Sequence, residues 1–189
     1  MGTYIAYMVL MGYYKHISEN LMKADNQQER LDSYIAGYVD GEGSFHIAIQ
    51  KVVHVRFGYQ LLPEFHVSQN LDYANTLYLI QKRFSCGYVK PNHAKSITDT
   101  SWVYVVRNRN DLLNTIIPFF KQNKLRSPKQ RDFEKFSRVV KAMNSKIHST
   151  KRGFVKLLRI AVSMNRNGKY RKFNVASIIK NLESSTTIR

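Results

Sequence analysis

Cysteine is nearly absent from this 189-residue chain, with Cys86 the only one. A lone thiol excludes a disulfide framework and suits a reducing, intracellular compartment. Set among apolar and basic neighbours, Cys86 reads as packing rather than catalysis. Long hydrophobic runs are lacking as well. The stretch TYIAYMVLMGYY (3–14) is apolar for about a dozen residues, whereas a membrane-spanning helix needs about 20, and no basic region precedes it as in a secretory signal. It fits a short buried helix, a remnant of organelle targeting, or sequence translated from upstream, and all three stay open. No internal repeat or low-complexity tract is found.

Acidic residues are scarce in one region only. The whole chain carries 30 Lys/Arg against 13 Asp/Glu, a net charge of +17. Residues 1–120 hold 11 basic and 10 acidic residues, while residues 121–189 hold 19 and 3. So lopsided a distribution calls for a polyanion, and nucleic acid is the first candidate. An apolar fraction of 43% suffices for one ordinary core, which excludes disorder over the whole chain.

Periodicity supplies the elements. Leu31, Tyr34, Ile35, Tyr38 and Val39 recur at helical spacing, and the Gly41–Gly43 pair predicts an end near Asp40. SFHIAIQ (44–50) alternates, with Phe45, Ile47 and Ile49 on one face and Ser44, His46, Ala48 and Gln50 on the other. YQLLPEFHVSQ (59–69) alternates likewise, setting Leu61, Phe65 and Val67 against Gln60, Glu64, His66 and Ser68, and Pro63 points to an edge or a bulge. A helix over 72–84, strands at 87–90 and 101–108, and a short helix at 111–120 follow. Ser127-Pro128 then offers an N-cap and first-turn proline for a basic helix over 128–144. Helices at 153–164 and 174–183 complete an α-β-β-α-β-β-α order with a basic helical tail, an α+β fold with one antiparallel sheet. The expected divisions are an N-terminal extension (1–27), a core domain (28–145) and a basic helical tail (146–189).

One stretch, YIAGYVDGEGSF (34–45), carries the chemistry. Gly37 and Gly41 are four apart and so lie on one helix face, where small residues let two helices approach closely. Glu42 is expected just past the helix, beside free carbonyls. That pairing offers hard oxygen ligands suited to Mg²⁺ or Ca²⁺. One carboxylate makes a poor cage; two, delivered by paired helices about a twofold axis, make a plausible one. Asp40 is expected to cap or hydrogen-bond at the helix junction. His46 and His66 lie on neighbouring strands, but two histidines without cysteine or further acids are a weak zinc signal, which leaves them as candidate readers of DNA.

Ile35 to Gly43 resembles the LAGLIDADG motif of homing endonucleases, with Ile35 in place of the first Leu and Glu42 in place of the second Asp. The element order over roughly 28–145 looks like the family's single-motif unit, whose antiparallel sheet forms a saddle for DNA. PEFHVSQ (63–69) is similar to its second strand and LRSPKQRDF (125–133) to its lysine-bearing segment. The resemblance implies a site-specific double-strand DNA endonuclease that hydrolyses phosphodiester bonds in a long, roughly palindromic target, acting as a homodimer. It implies Glu42 as the catalytic metal-binding acid, the Gly41 carbonyl as a further ligand, Gln69 as orienting water, and Lys129 as the basic residue, with Lys121 and Lys124 as nearby alternatives. Homodimeric members place another basic residue a few positions after the Gln; Tyr73 stands near that place here.

The implied cofactor is Mg²⁺, which Ca²⁺ or Mn²⁺ can replace as ligand, with no small-molecule cofactor and no membrane. Ala36, Gly37, Asp40 and Gly41 would form the dimer interface. Base readers would come from Ser44, His46, Ala48, Gln50, Gln60, Glu64, His66 and Ser68, and from Tyr88, Lys90, Asn92, Trp102 and Tyr104 on the other strand pair. Lys151, Arg152, Lys169 and Arg171 would contact phosphates. An intron of an organelle, mitochondrion or chloroplast, is the implied setting. The alternative is a non-cleaving protein on the same scaffold, an RNA maturase or a DNA-binding regulator. A degenerate member would be expected to lose the acid or the Gln, and Glu42 and Gln69 are both present.

Overall fold

The computed structural model describes residues 25–94, 96, 98–165 and 174–184. The stretch 3–14, Lys169 and Arg171 lie outside them. Helix α1 covers 25–42, followed by β1 (Gly43–Lys51), β2 (Tyr59–Asn70), a 3₁₀ turn (Leu71–Tyr73), α2 (Asn75–Phe84), β3 (Tyr88–Pro91) and β4 (Ser101–Val106). Helix α3 comprises Arg109–Asp111, a π-turn (Leu112–Ile116) and Ile117–Gln122. Then come α4 (Lys129–Asn144), a 3₁₀ turn (Ile147–Ser149), α5 (Lys151–Val162) and α6 (Val175–Ser184). The fold is α+β, with six helices and one antiparallel sheet among the described residues, in the strand order β1-β2-β4-β3. No helix among the described residues is long and apolar enough to cross a membrane.

α1 does not stop at Asp40. It continues through Gly41 and Glu42, and β1 begins at the next residue. Gly43 makes this abrupt change possible: a Cβ there would lie 2.5 Å from Val39 Cγ1 and 2.7 Å from Val39 O. Gly43 therefore acts as a helix-to-strand hinge, while Gly41 is an ordinary position of the last helical turn rather than a breaker. Gly43→Ala is expected to lower stability by about 1–3 kcal/mol, the usual cost of overpacking. Urea denaturation checks this, and an unchanged midpoint would mean that the hinge relaxes freely.

Pro63 is tolerated inside β2 for a readable reason. β2 pairs with β1 from Tyr59 to Val67, but β4 joins only from Phe65 to Asn70, so the Pro63 stretch is locally an edge. The π-turn of α3 has a similar cause. It comes just before Pro118, whose ring would clash with the carbonyl four residues back in a regular helix.

Alternation along the strands sets the core. Phe45, Ile47, Leu61, Phe65 and Val67 are buried under the helices, with Phe45 5.0 Å from Phe65 and 5.2 Å from Phe120 and from Phe133, ring centre to ring centre. Asp32 on α1 binds Arg83 on α2 through both carboxylate oxygens, at 2.6 and 2.8 Å. α5 exposes Arg152, Lys156 and Arg159, while α5 and α6 add Phe154, Leu157, Leu158, Val175 and Ile178 to the same core. Cys86 packs at its margin, where burial pushes the thiol above its ordinary pKa.

Candidate functional site

The C-terminal turn of α1 is held by the start of α4. The carbonyls of Val39, Asp40 and Gly41 lack intrahelical donors, and the Lys129 ammonium donates to all three at 2.9, 2.8 and 3.0 Å. Burial lowers the Lys129 pKa, against the pull of the Asp40 and Glu42 charges. The structure thus separates the lysines: Lys129 lies at this turn, whereas Lys121 closes α3. Asp40 accepts from the Arg126 amide (2.9 Å), the Ser127 amide (2.9 Å) and the Ser127 hydroxyl (2.5 Å). Burial opposes its ionisation, but these bonds and nearby Lys129 hold its carboxyl below the usual range. The Ser127 hydroxyl accepts from the Lys129 amide, so one serine ties the α1 junction to the first turn of α4.

Glu42, the last residue of α1, is left exposed beside this arrangement, its carboxylate near the Lys129 charge and with no hydrogen bond or ion pair to it among the described residues. Gln69 comes close through the sheet register. Gly43 pairs with Val67, so Gln69 falls two positions beyond, level with the end of α1. Its Nε2 donates to the Tyr38 hydroxyl at 2.6 Å, and its Oε1 accepts from the Asn70 amide at 2.7 Å. Both ends of the amide are fixed. Periodicity gave Tyr38 no role beyond an apolar helix position; its link to Gln69 becomes visible only once the register is known. A cleft lined by Gly43, Ser44, Ser127, Pro128, Lys129, Asp132 and Asn165 adjoins this turn.

The small-residue face of α1 points away from the core. Gly37 and Gly41 are exposed, and a Cβ on either would meet nothing within 4 Å. Ala36 is buried and, with Ser33, Gly37 and Asp40, lines a groove against Gln122–Arg126.

On the polar face of the sheet stand Ser44, His46, Ala48 and Gln50 from β1, and Gln60, Glu64, His66 and Ser68 from β2. Tyr88 and Lys90 join them, opposite Val105 and Val103 in register. Asn92 follows β3, where its side chain donates to the Ser101 hydroxyl. Lys151 and Arg152 open α5. Three expectations change. Tyr104 is fully buried and donates its hydroxyl to the Cys86 carbonyl at 2.8 Å, so it belongs to the core and reads no base. Trp102, two residues earlier on the same side of β4, also packs against the core. Glu64 is only 6% exposed, its Oε1 bound by Arg107 at 2.6 Å and its Oε2 3.1 and 3.0 Å from the Nε2 atoms of His46 and His66, so it is no free reader. Burial works against its charge, but these contacts hold its pKa far below normal. Arg107, one residue past β4 and in line with Glu64, escaped the sequence because β4 carries apolar residues at both parities.

The sequence profile described as LAGLIDADG endonuclease matches residues 35–140. The chain belongs to that family. DNA endonuclease I-CeuI of Chlamydomonas moewusii is 32% identical over 104 residues, which are 54% of this chain and 46% of that protein. The homing endonuclease I-TnaI superposes with a TM-score of 0.71 and 32% identity, over 80% of this chain and 97% of its own. I-LtrWI, a LAGLIDADG homing endonuclease solved on target DNA, superposes at 0.68 and 35% identity, over 73% of this chain and 45% of its own. The chain spans 46% of I-CeuI and about a quarter of two probable intron-encoded endonucleases of Neurospora crassa, 27% and 26%.

Proposed function

We propose that this LAGLIDADG protein is a site-specific DNA endonuclease of the homing type, cutting both strands of a roughly palindromic duplex as a homodimer. The observation that carries the reading is Glu42: an exposed carboxylate at the very end of α1, next to the Lys129 ammonium and level with the fixed Gln69. The DNA-bound state of the relative I-LtrWI supports duplex DNA as the partner. The match takes in 97% of I-TnaI but only 45% of I-LtrWI, so a relative about one such unit long exists, which favours a pairing of two single-motif copies. Intron-encoded relatives favour an intron as the coding site, and the family resemblance favours an organelle as the setting.

The donor set suits Mg²⁺ in chemistry but falls short in number within one chain. A carboxylate and backbone carbonyls are hard oxygen donors, yet Glu42 is the sole exposed carboxylate at this turn and the Gly41 carbonyl already accepts from Lys129. A second copy would supply a second Glu42. When bound, the divalent ion would stabilise charge on the attacking and leaving oxygens. This chain's own residues do the rest. Glu42 would hold the ion, Gln69 would orient water from an amide pinned by Tyr38, and Lys129 sets the last turn of α1 and would place positive charge near the phosphate. The polar sheet face reads base edges, and the basic outer faces of α4 and α5 meet phosphates, so affinity should fall steeply with salt.

Tyr38→Phe tests the positioning of Gln69. Losing one hydrogen bond worth about 1 kcal/mol is expected to slow cleavage roughly 5- to 10-fold with little change in DNA affinity. Single-turnover kinetics beside a binding titration separate the two, and an unaltered rate would remove Tyr38 from the mechanism.

The nuclease reading itself is tested by incubating the protein with Mg²⁺ and a randomised duplex library, then sequencing the cut ends. A recovered consensus with twofold symmetry is expected. Tight, metal-independent binding without cleavage would transfer the scaffold to the non-cleaving alternative.

A further inference from the structure

The polar face of the sheet holds a cluster that the proposed cleavage chemistry does not use. His46 on β1 faces Glu64 on β2 directly in register, and His66 follows two residues later on the same side. Their donor atoms, two imidazole nitrogens and a carboxylate oxygen, all lie within 4.8 Å of one another. The two Nε2 atoms converge on one atom, Glu64 Oε2, at 3.1 and 3.0 Å. The two rings cross edge-on with centres 4.6 Å apart.

The hydrogen bonds among the described residues leave one buried atom of this cluster without a partner. Glu64 is buried, and its other oxygen is taken by Arg107 at 2.6 Å. His66 Nε2 is also buried and has no aligned hydrogen-bond partner, although Oε2 is 3.0 Å away. Buried polar atoms nearly always find partners. With both imidazole nitrogens 3.0–3.1 Å from the same carboxylate oxygen, a cation bound among them would satisfy all three groups at once.

We infer that His46, Glu64 and His66 form a binding site for a borderline divalent transition metal, Zn²⁺ above all, separate from the Glu42 site. Two imidazoles and one carboxylate are a donor set for zinc rather than for magnesium or calcium. Zinc bonds to nitrogen and oxygen of about 2.0–2.2 Å place tetrahedral donors about 3.3 Å apart, within a few tenths of an ångström of the spacings on Oε2. Arg107 orients the carboxylate from outside the donor set, as the outer partners of metal ligands do, while its charge works against the cation. Three protein ligands leave a fourth position for water or a nucleic-acid acceptor. The ion would clasp β1 to β2 in the middle of the sheet's polar face. Because every ligand lies outside the α1 terminus, zinc binding stands or falls without reference to cleavage.

The test uses the full chain, stripped with chelator, dialysed against ZnCl₂ and analysed by atomic emission and calorimetry. One zinc per chain is expected in the wild type and equally in Glu42→Gln, undisplaced by excess Mg²⁺. His66→Gln and Glu64→Gln are expected to weaken binding by at least about 100-fold, beyond the usual effect of losing an outer partner. His46→Gln, on a partly exposed side chain, repeats the test where folding is least at risk, and circular dichroism confirms the fold in each case. Co²⁺ in place of zinc should give visible d–d bands that vanish in the same variants. A wild type that retains no zinc, a His46→Gln/His66→Gln double variant that binds as tightly as the wild type, or zinc lost from Glu42→Gln would each overturn the assignment.

Discussion

Glu42→Gln is expected to reduce DNA cleavage by at least about 10³-fold while leaving fold and DNA affinity nearly intact. The asymmetry follows from where Glu42 stands. It is exposed at the end of α1, so exchanging it for an amide of the same shape removes no packing, and surface changes of this kind usually stay within about 0.5 kcal/mol. The last turn of α1 is held instead by Lys129 on three carbonyls and by Asp40 on Arg126 and Ser127, none of which the substitution touches. On the proposed mechanism the substitution would remove a negative charge toward a divalent ion, and metal stabilisation of a transition state is worth several kcal/mol, each 1.4 kcal/mol being a factor of ten in rate. Cleavage rates alongside a melting curve and a binding isotherm check all three statements. A variant that cuts at wild-type rate would place the metal-binding acid elsewhere.

Gly37→Leu is expected to abolish dimerisation without unfolding the protomer. A Cβ at Gly37 meets nothing within 4 Å in the single chain, and leucine is also the better helix former, so the monomer gains slightly if anything. In a self-complementary interface the same side chain intrudes twice. At about 1–3 kcal/mol for each overpacked contact, the loss is about 2–6 kcal/mol, or roughly 30- to 10⁴-fold in association. Sedimentation with and without DNA measures this directly. A Gly37→Leu protein that still pairs and cuts would show that the small-residue face of α1 is not the interface.

These two predictions also mark what the sequence could and could not disclose. Strict alternation in 44–50 and 59–69 was readable because each strand buries only one face, which ties register to composition. β4 was not readable in the same way. SWVYVV is apolar at both parities, so Tyr104 and Trp102 could not be assigned a side until Val67 and Gln69 were found opposite them. The end of α1 was misjudged by two residues because Gly41 and Gly43 resemble breakers locally, while tertiary packing carries the helix through Glu42 and only Gly43 meets Val39 closely. The His46–Glu64–His66–Arg107 cluster stayed hidden for the same reason. Its members are separated in sequence and meet only through cross-strand register, so the acid that completes the histidine pair looked like one more polar strand residue. Lys129 was legible from its local pattern, but its three carbonyl contacts were not.

In the proposed enzyme one active site is built from two copies of the α1 terminus, each supplying Glu42. Co-folding equal amounts of wild-type and Glu42→Gln chains, then measuring double-strand cleavage of a selected target duplex in Mg²⁺, tests that claim most directly. If both copies are needed, only wild-type pairs make the double-strand cut, and the yield per total protein falls to about one quarter of the wild-type value, with nicked duplex accumulating from mixed pairs if each Glu42 serves one strand. A yield of about one half, proportional to the wild-type chains alone, would mean that each chain acts singly and would contradict the shared site.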